Sequence, residues 1–138
     1  IGWAKPVPIN PSYFKDQRRG TVYVSLAGPL ANFTAAFAAG LIFRFSQNIL
    51  PHFLLLILVM IVEINIWLGL FNLIPIPPLD GSKILSALLP SEALKTYYSF
   101  ERYGIILLIL LLTVFRDVFL RIFLPLHNLL SYLFVGFA

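Results

Sequence analysis

The sequence predicts an all-α fold, a polytopic transmembrane helical bundle of three to four membrane segments with a proline-broken helix, and three observations predict it. Hydrophobic residues make up 59% of the 138 residues and charged ones only 12%, against roughly 25% charge in soluble domains. Apolar stretches with at most one charge recur at lengths near the ~20 residues that a helix needs to cross hydrocarbon. Pro75, Pro77 and Pro78 crowd together where one such stretch ends, and each lacks an amide hydrogen and clashes with the preceding turn. A chain of this length holds three or four crossings plus short connections, so residues 1–138 are read as a single membrane domain.

The elements follow in order. Residues 1–20 contain Pro6, Pro8 and Pro11, a spacing that forbids a helix and favours an extended path. Thr21 to Phe43 carries no charge, and a helix over that stretch is long enough for a first span. Gly28 and Pro29 lie inside it, so the helix either kinks there or begins at Pro29, a residue suited to a first helical position. Arg44 to His52 is a short connection, and Phe53 to Ile74 is a second span of similar length. A helix restarts beyond Asp80-Gly81, runs to about Leu89 and is ended by Pro90; Ser91 to Arg102 reads as a polar linker. Tyr103 to Phe115 is apolar but too short to cross by itself, so a third span there borrows Tyr97 to Phe100 and sets Glu101 and Arg102 at the interface. Val118 to Ala138, which contains Arg121, Pro125 and His127, is a fourth span or an interfacial segment.

The charge balance, ten Lys and Arg against six Asp and Glu, sits at the ends of apolar segments rather than in runs that would bind nucleic acid. It reads as topology. Four basic residues (Lys5, Lys15, Arg18, Arg19) precede the first span, Lys83, Lys95 and Arg102 follow the second, and the loop between has only Arg44, which places residues 1–20 and 80–102 on the cytoplasmic side. The sequence has no cysteine, which excludes a disulfide framework and a thiolate metal site. It opens with Ile1, and its one methionine is Met60, so further sequence is expected upstream.

An ionisable group at the margin of a spanning segment costs ~2.5–3.5 kcal/mol to bury even on lenient scales, so it usually has a partner or a task. Asp80 is the foremost case. A purely structural reading makes it the N-cap of the helix starting near Ser82, with Lys83 as ion partner. The prolines beside it favour a polar pocket, because non-helical backbone at membrane depth must be buried in protein or line a wet cavity. Gly81 lets backbone come close to whatever occupies that pocket. Asn65 and Asn72, about two helical turns apart, share a helix face, and Asn32 lies one turn after Gly28. Asn65 reads as interhelical hydrogen-bond glue, while Asn72 is placed to serve the pocket. Glu63, two positions from Asn65 and on nearly the opposite face, is read as protonated or paired outside the chain. His52 and His127 stand far apart in the chain, fail the spacing of a zinc-binding His pair on one helix, and read as interfacial.

The stretches SLAGPLANF (25–33) and FNLIPIPPLDGSKIL (71–85) resemble the site-2 protease family of intramembrane zinc metallopeptidases, and GWAKPVPINP (2–11) with ERYGIILLILLL (101–112) resembles its short prokaryotic members without a PDZ domain. The resemblance covers nearly the whole chain. It implies a Zn2+ cofactor with Asp80 as the third metal ligand, and two histidine ligands and a glutamate base in an HExxH helix upstream of the WAKPVP region. HExxH is absent from this sequence, so no catalytic base lies in this chain, and the chain alone is expected to be inactive. It further implies that Asn32 and Asn72, with Gly28 and Gly81, line the active-site cleft, that residues 2–11 lie near its cytoplasmic mouth, and that the partners are membrane-protein substrates offering a transmembrane helix, in the inner membrane of a prokaryote. A non-catalytic scaffold derived from the same family is the alternative. A transporter of broken helices is weaker, for want of repeated hydropathy halves.

Overall fold

Residues 17–136 are described here in a computed structural model; the expected extended segment falls on residues outside these, apart from its last four. Those four are helical. The described residues form six helices: α1 (Gln17–Ser46), α2 (His52–Asn72), α3 (Asp80–Leu88), α4 (Ser91–Glu101), α5 (Gly104–Thr113) and α6 (Arg116–Val135). Three of them, α1, α2 and α6, are long and apolar enough to cross a membrane.

At 30 residues, α1 is about 45 Å long, more than the ~30 Å of hydrocarbon. It runs through Gly28 and Pro29 and starts at Gln17, so it does not begin at Pro29. Pro29 deprives the Ser25 carbonyl of its helical donor, and the ring is fully buried. Packing against neighbouring helices is what lets a membrane helix carry an internal proline. The same applies to Pro125, which sits within α6 without ending it.

The core is where these three helices meet: Ala36, Ala39 and Phe43 of α1, Val62, Ile66 and Leu70 of α2, and Val135 of α6. Small residues set the spacing, as membrane helices that pack by van der Waals contact require. A Cβ on Gly40 would lie 2.5 Å from the Phe134 carbonyl oxygen, and one on Gly69 would lie 2.6 Å from the Phe33 ring. The outer faces carry Leu30, Phe37, Met60 and Ile122, all exposed, as helices that meet lipid must be. At the far end of α6, the Arg44 guanidinium donates to the carbonyls of Tyr132 (3.1 Å) and Leu133 (2.6 Å), a cation on the negative end of a helix.

Two expectations fail in the second half of the chain. Ser91 to Arg102 is not a linker, since Ser91–Glu101 is helical. Nor does a single helix run from Tyr97 to Phe115, because α4 and α5 are separate helices and the short α5 reaches only about 15 Å. The third helix of spanning length is α6, in the segment whose role the sequence leaves open.

Candidate functional site

Between α2 and α3 the chain is non-helical from Leu73 to Leu79. Three of these seven residues are prolines and have no N–H to satisfy. The other four all find acceptors: Leu73 donates to Leu70 O, Ile74 to Phe71 O, Ile76 to Ile74 O and Leu79 to Ile76 O, at 2.8–3.2 Å. The Pro77–Pro78 peptide is cis. A segment with few donors, each paired, can leave helical geometry without orphaned amides.

Asp80 follows as the first residue of α3. The N-cap is Leu79, with no side-chain cap bond, so Asp80 does not cap the helix. Its Oδ1 takes the Lys83 ammonium at 2.9 Å, as the local reading expects, and its side chain is 29% exposed. Its Oδ2 is turned to α1, where a Cβ on Gly28 would stand only 2.9 Å away. The carboxylate therefore occupies room that a glycine leaves on the neighbouring helix. Asn32, half-buried, lies one turn beyond Gly28 on the same face.

Gly81 is pressed against the end of α2. A Cβ there would collide with the Leu73 carbonyl and come within 2.6 Å of the Ile74 oxygen, so its close approach is to this chain's own backbone. Asn72, half-buried, is the last residue of α2. No hydrogen bond links Asp80 to either Asn32 or Asn72 among the described residues. Asn65 is not interhelical glue, since its amide donates to Ile61 O of its own helix at 2.8 Å.

Two residues that sequence reasoning missed complete the surroundings. Ser25 is 2% exposed, and its Oγ is buried without a hydrogen-bond partner; with Gly28 and Asn32 it continues an i, i+3, i+7 stripe on α1, a spacing legible in the sequence. Tyr97 of α4 reaches across to the proline segment, donating to Ser82 O at 3.2 Å and Pro75 O at 3.4 Å. Burial raises its hydroxyl pKa above the ordinary tyrosine value, against the lowering effect of its bond to Ser82. Nothing in the spacing of a polar helix announces that contact. Gly104 at the start of α5 closes the same end, its Cα face packed on the Pro77 carbonyl.

A second polar group lies elsewhere and corrects two readings. Glu63 is paired inside this chain: Ser131 Oγ donates to its Oε1 at 2.6 Å, and His127 Nε2 lies 2.8 Å from its Oε2. Nε2 makes no aligned hydrogen bond, so the latter contact is one of proximity. His127 is not interfacial but 6% exposed, with its ring stacked on Trp67 at 4.5 Å.

A catalytic zinc site keeps three protein ligands and an open position. Among the described residues no three His, Cys, Asp or Glu side chains converge, so these residues alone do not hold such a metal. Asp80 offers a single oxygen ligand at a sheltered edge.

These features define a class, a polytopic helical membrane protein with one carboxylate lodged where a broken backbone meets a glycine on the next helix. Residues 47–115 match peptidase family M50, and the chain belongs to that family, the membrane-embedded zinc metallopeptidases of the site-2 type. It is 36% identical over 118 residues to "Putative zinc metalloprotease YwhC" of Bacillus subtilis (strain 168). The aligned region covers 80% of this chain and 54% of that protein, so the chain spans about half the length of this relative. No solved structure matches it.

Proposed function

We propose that this chain serves an intramembrane zinc metallopeptidase that cleaves transmembrane helices of membrane-protein substrates, with Asp80 as the third metal ligand. The observation that carries this reading is the placement of Asp80, at a proline-broken segment and against Gly28, within a stretch matched to the family. Two histidine ligands and a glutamate base would come from an HExxH helix, a motif that this sequence does not contain. Such a metal, when bound, supplies an activated water and polarises a scissile carbonyl.

The chain's own residues have separate tasks in this reading. Asp80 offers an anionic oxygen, and Lys83 holds its other oxygen at 2.9 Å, fixing the carboxylate's orientation. Asn32 and Asn72 bring amides that can pair the backbone groups freed when a substrate helix unwinds. Residues 1–20 and 80–102 would face the cytoplasm, in the inner membrane of a prokaryote, by the distribution of basic residues.

The Lys83 contact also favours a second reading, a non-catalytic scaffold in which Asp80 is a structural ion pair. Measurement of zinc content and of substrate-helix cleavage by the full-length protein, with and without Asp80→Asn, separates the two. The protease reading expects about one zinc per chain and loss of cleavage in the variant; unaltered cleavage rejects it.

A further inference from the structure

We propose that Arg18 and Arg19 of α1, together with Ala87 and Leu88 at the end of α3, form a binding site for one acidic glycerophospholipid at the face of the membrane where α1 enters it. The proposal does not depend on the peptidase reading.

Depth comes first. The charge-free stretch of α1 opens at Thr21, and as a helix it fills the ~30 Å of hydrocarbon. Arg18 and Arg19 stand just before it, so their Cα atoms lie about 3–5 Å outside the apolar layer. The headgroup layer is about 5–8 Å deep on each side. Both guanidiniums are therefore at the height of lipid phosphates.

The cleft comes next. Arg18 and Arg19 and, one turn on, Val22 and Tyr23 face Ala87 and Leu88 across a cleft of about 280 Å³. That is just under the ~300 Å³ of the smallest common ligand pockets, room for a phosphate and the glycerol end of a lipid rather than a whole one. No acidic side chain among the described residues lines it. Both arginines also have partners within the protein, and a guanidinium's five N–H donors can hold such a partner and a phosphate oxygen together. Cations are favoured beside the C-terminal end of a helix, so the end of α3 accommodates two arginines without a carboxylate.

The apolar part of the lining decides between a lipid and a free phosphate. Leu88 is 71% exposed and Tyr23 70%, beside the guanidiniums and at the edge of the hydrocarbon. A soluble phosphate gains nothing from such surface, whereas a lipid whose phosphate meets the arginines lays the start of its acyl chains on it. A zwitterionic headgroup brings a cation of its own toward two arginines, so an acidic one is favoured.

The test uses the full chain in neutral detergent, with thermal unfolding followed by circular dichroism as phosphatidylglycerol, phosphatidylcholine or inorganic phosphate is added. A ligand of the folded state raises the melting temperature as its concentration rises. Phosphatidylglycerol should do so, and the other two should not at the same concentrations. Arg18→Gln/Arg19→Gln should lower the apparent affinity about tenfold or more, each basic group at an acidic lipid surface being worth roughly a factor of five. Arg116→Gln/Arg121→Gln makes the same charge change at exposed positions of α6 and should leave the affinity intact. Should the arginine pair prove necessary for folding, Leu88→Glu, at an exposed position, puts a carboxylate into the cleft and should weaken binding as much. Equal stabilisation by phosphatidylcholine, or by phosphate alone, would overturn the proposal. So would an unaltered affinity in the cleft variants, or an equal loss in the α6 pair, which would leave only general attraction between charges.

Discussion

Gly28→Ala separates the fold from the site. The added methyl would stand 2.9 Å from Asp80 Oδ2, whereas ordinary contact begins at 3.4 Å, so the carboxylate must retreat by about 0.5 Å. The atom displaced is the end of a side chain rather than backbone, and an off-rotamer Asp80 costs about 0.5–1.5 kcal/mol. Alanine regains about 1 kcal/mol over glycine within a helix. The two nearly cancel, so thermal stability in detergent should change by no more than about 1 kcal/mol. Metal coordination is less forgiving, because ligand distances hold to about 0.2 Å. A shift of this size should weaken zinc binding by the full-length protein at least about tenfold, the lower end of losses seen when a ligand's support is disturbed. Competition against a chelator of known affinity measures the zinc affinity, and thermal unfolding followed by circular dichroism measures the stability. Unchanged zinc affinity in a folded Gly28→Ala protein would refute the reasoning, since Asp80 would then not reach the metal from this position.

Gly81→Ala should behave in the opposite way: its Cβ meets the backbone oxygens of Leu73 and Ile74, which cannot step aside, so a loss of about 1–3 kcal/mol or more is expected in the same melt. Arg44→Gln removes two bonds to the last-turn carbonyls of α6 and should cost about 1–2 kcal/mol, seen as faster amide exchange at Tyr132 to Gly136 with little change in α3. Tyr97→Phe should cost about 1 kcal/mol through the lost bonds to Ser82 and Pro75. Since burial raises the Tyr97 pKa in the folded protein, the unfolded chain gives up that proton first as pH rises past about 10. The tyrosine's contribution is therefore whole below that value and lost above it, and Tyr97→Phe should reduce the alkaline loss of stability.

What is legible in the sequence is what a single strand of chain decides by itself. The end of α2, the restart at Asp80 and the stop before Pro90 rest on missing amide hydrogens and local clashes, which act within a turn. The Asp80–Lys83 pair is likewise a three-residue matter. Misreadings arise where a distant helix decides. Pro29 and Pro125 have the power to start or break helices in water, yet each sits inside a helix packed against its neighbours. The polar composition of SEALKTYYSFE hides a helix, because its apolar stripe of Ala93, Tyr97 and Phe100 is sparse and one of its anchors is the hydroxyl of Tyr97 on carbonyls of another element. Glu63 and His127 lie on different helices, far apart along the chain, and each alone looks like a group seeking an outside partner or an interface. Only the crossing of α2 and α6 makes them partners. The same crossing explains why α6, the segment least interpretable by hydropathy, can be a spanning helix: it brings His127 and Arg44's acceptors to places already prepared on α2 and α1. The polar contacts at its middle and end thus add to an apolar seam in which Val135 joins the core and Phe123, Leu130 and Phe134 pack against it, and removing the polar ones should loosen α6 while α1, α2 and the Asp80 region stay packed.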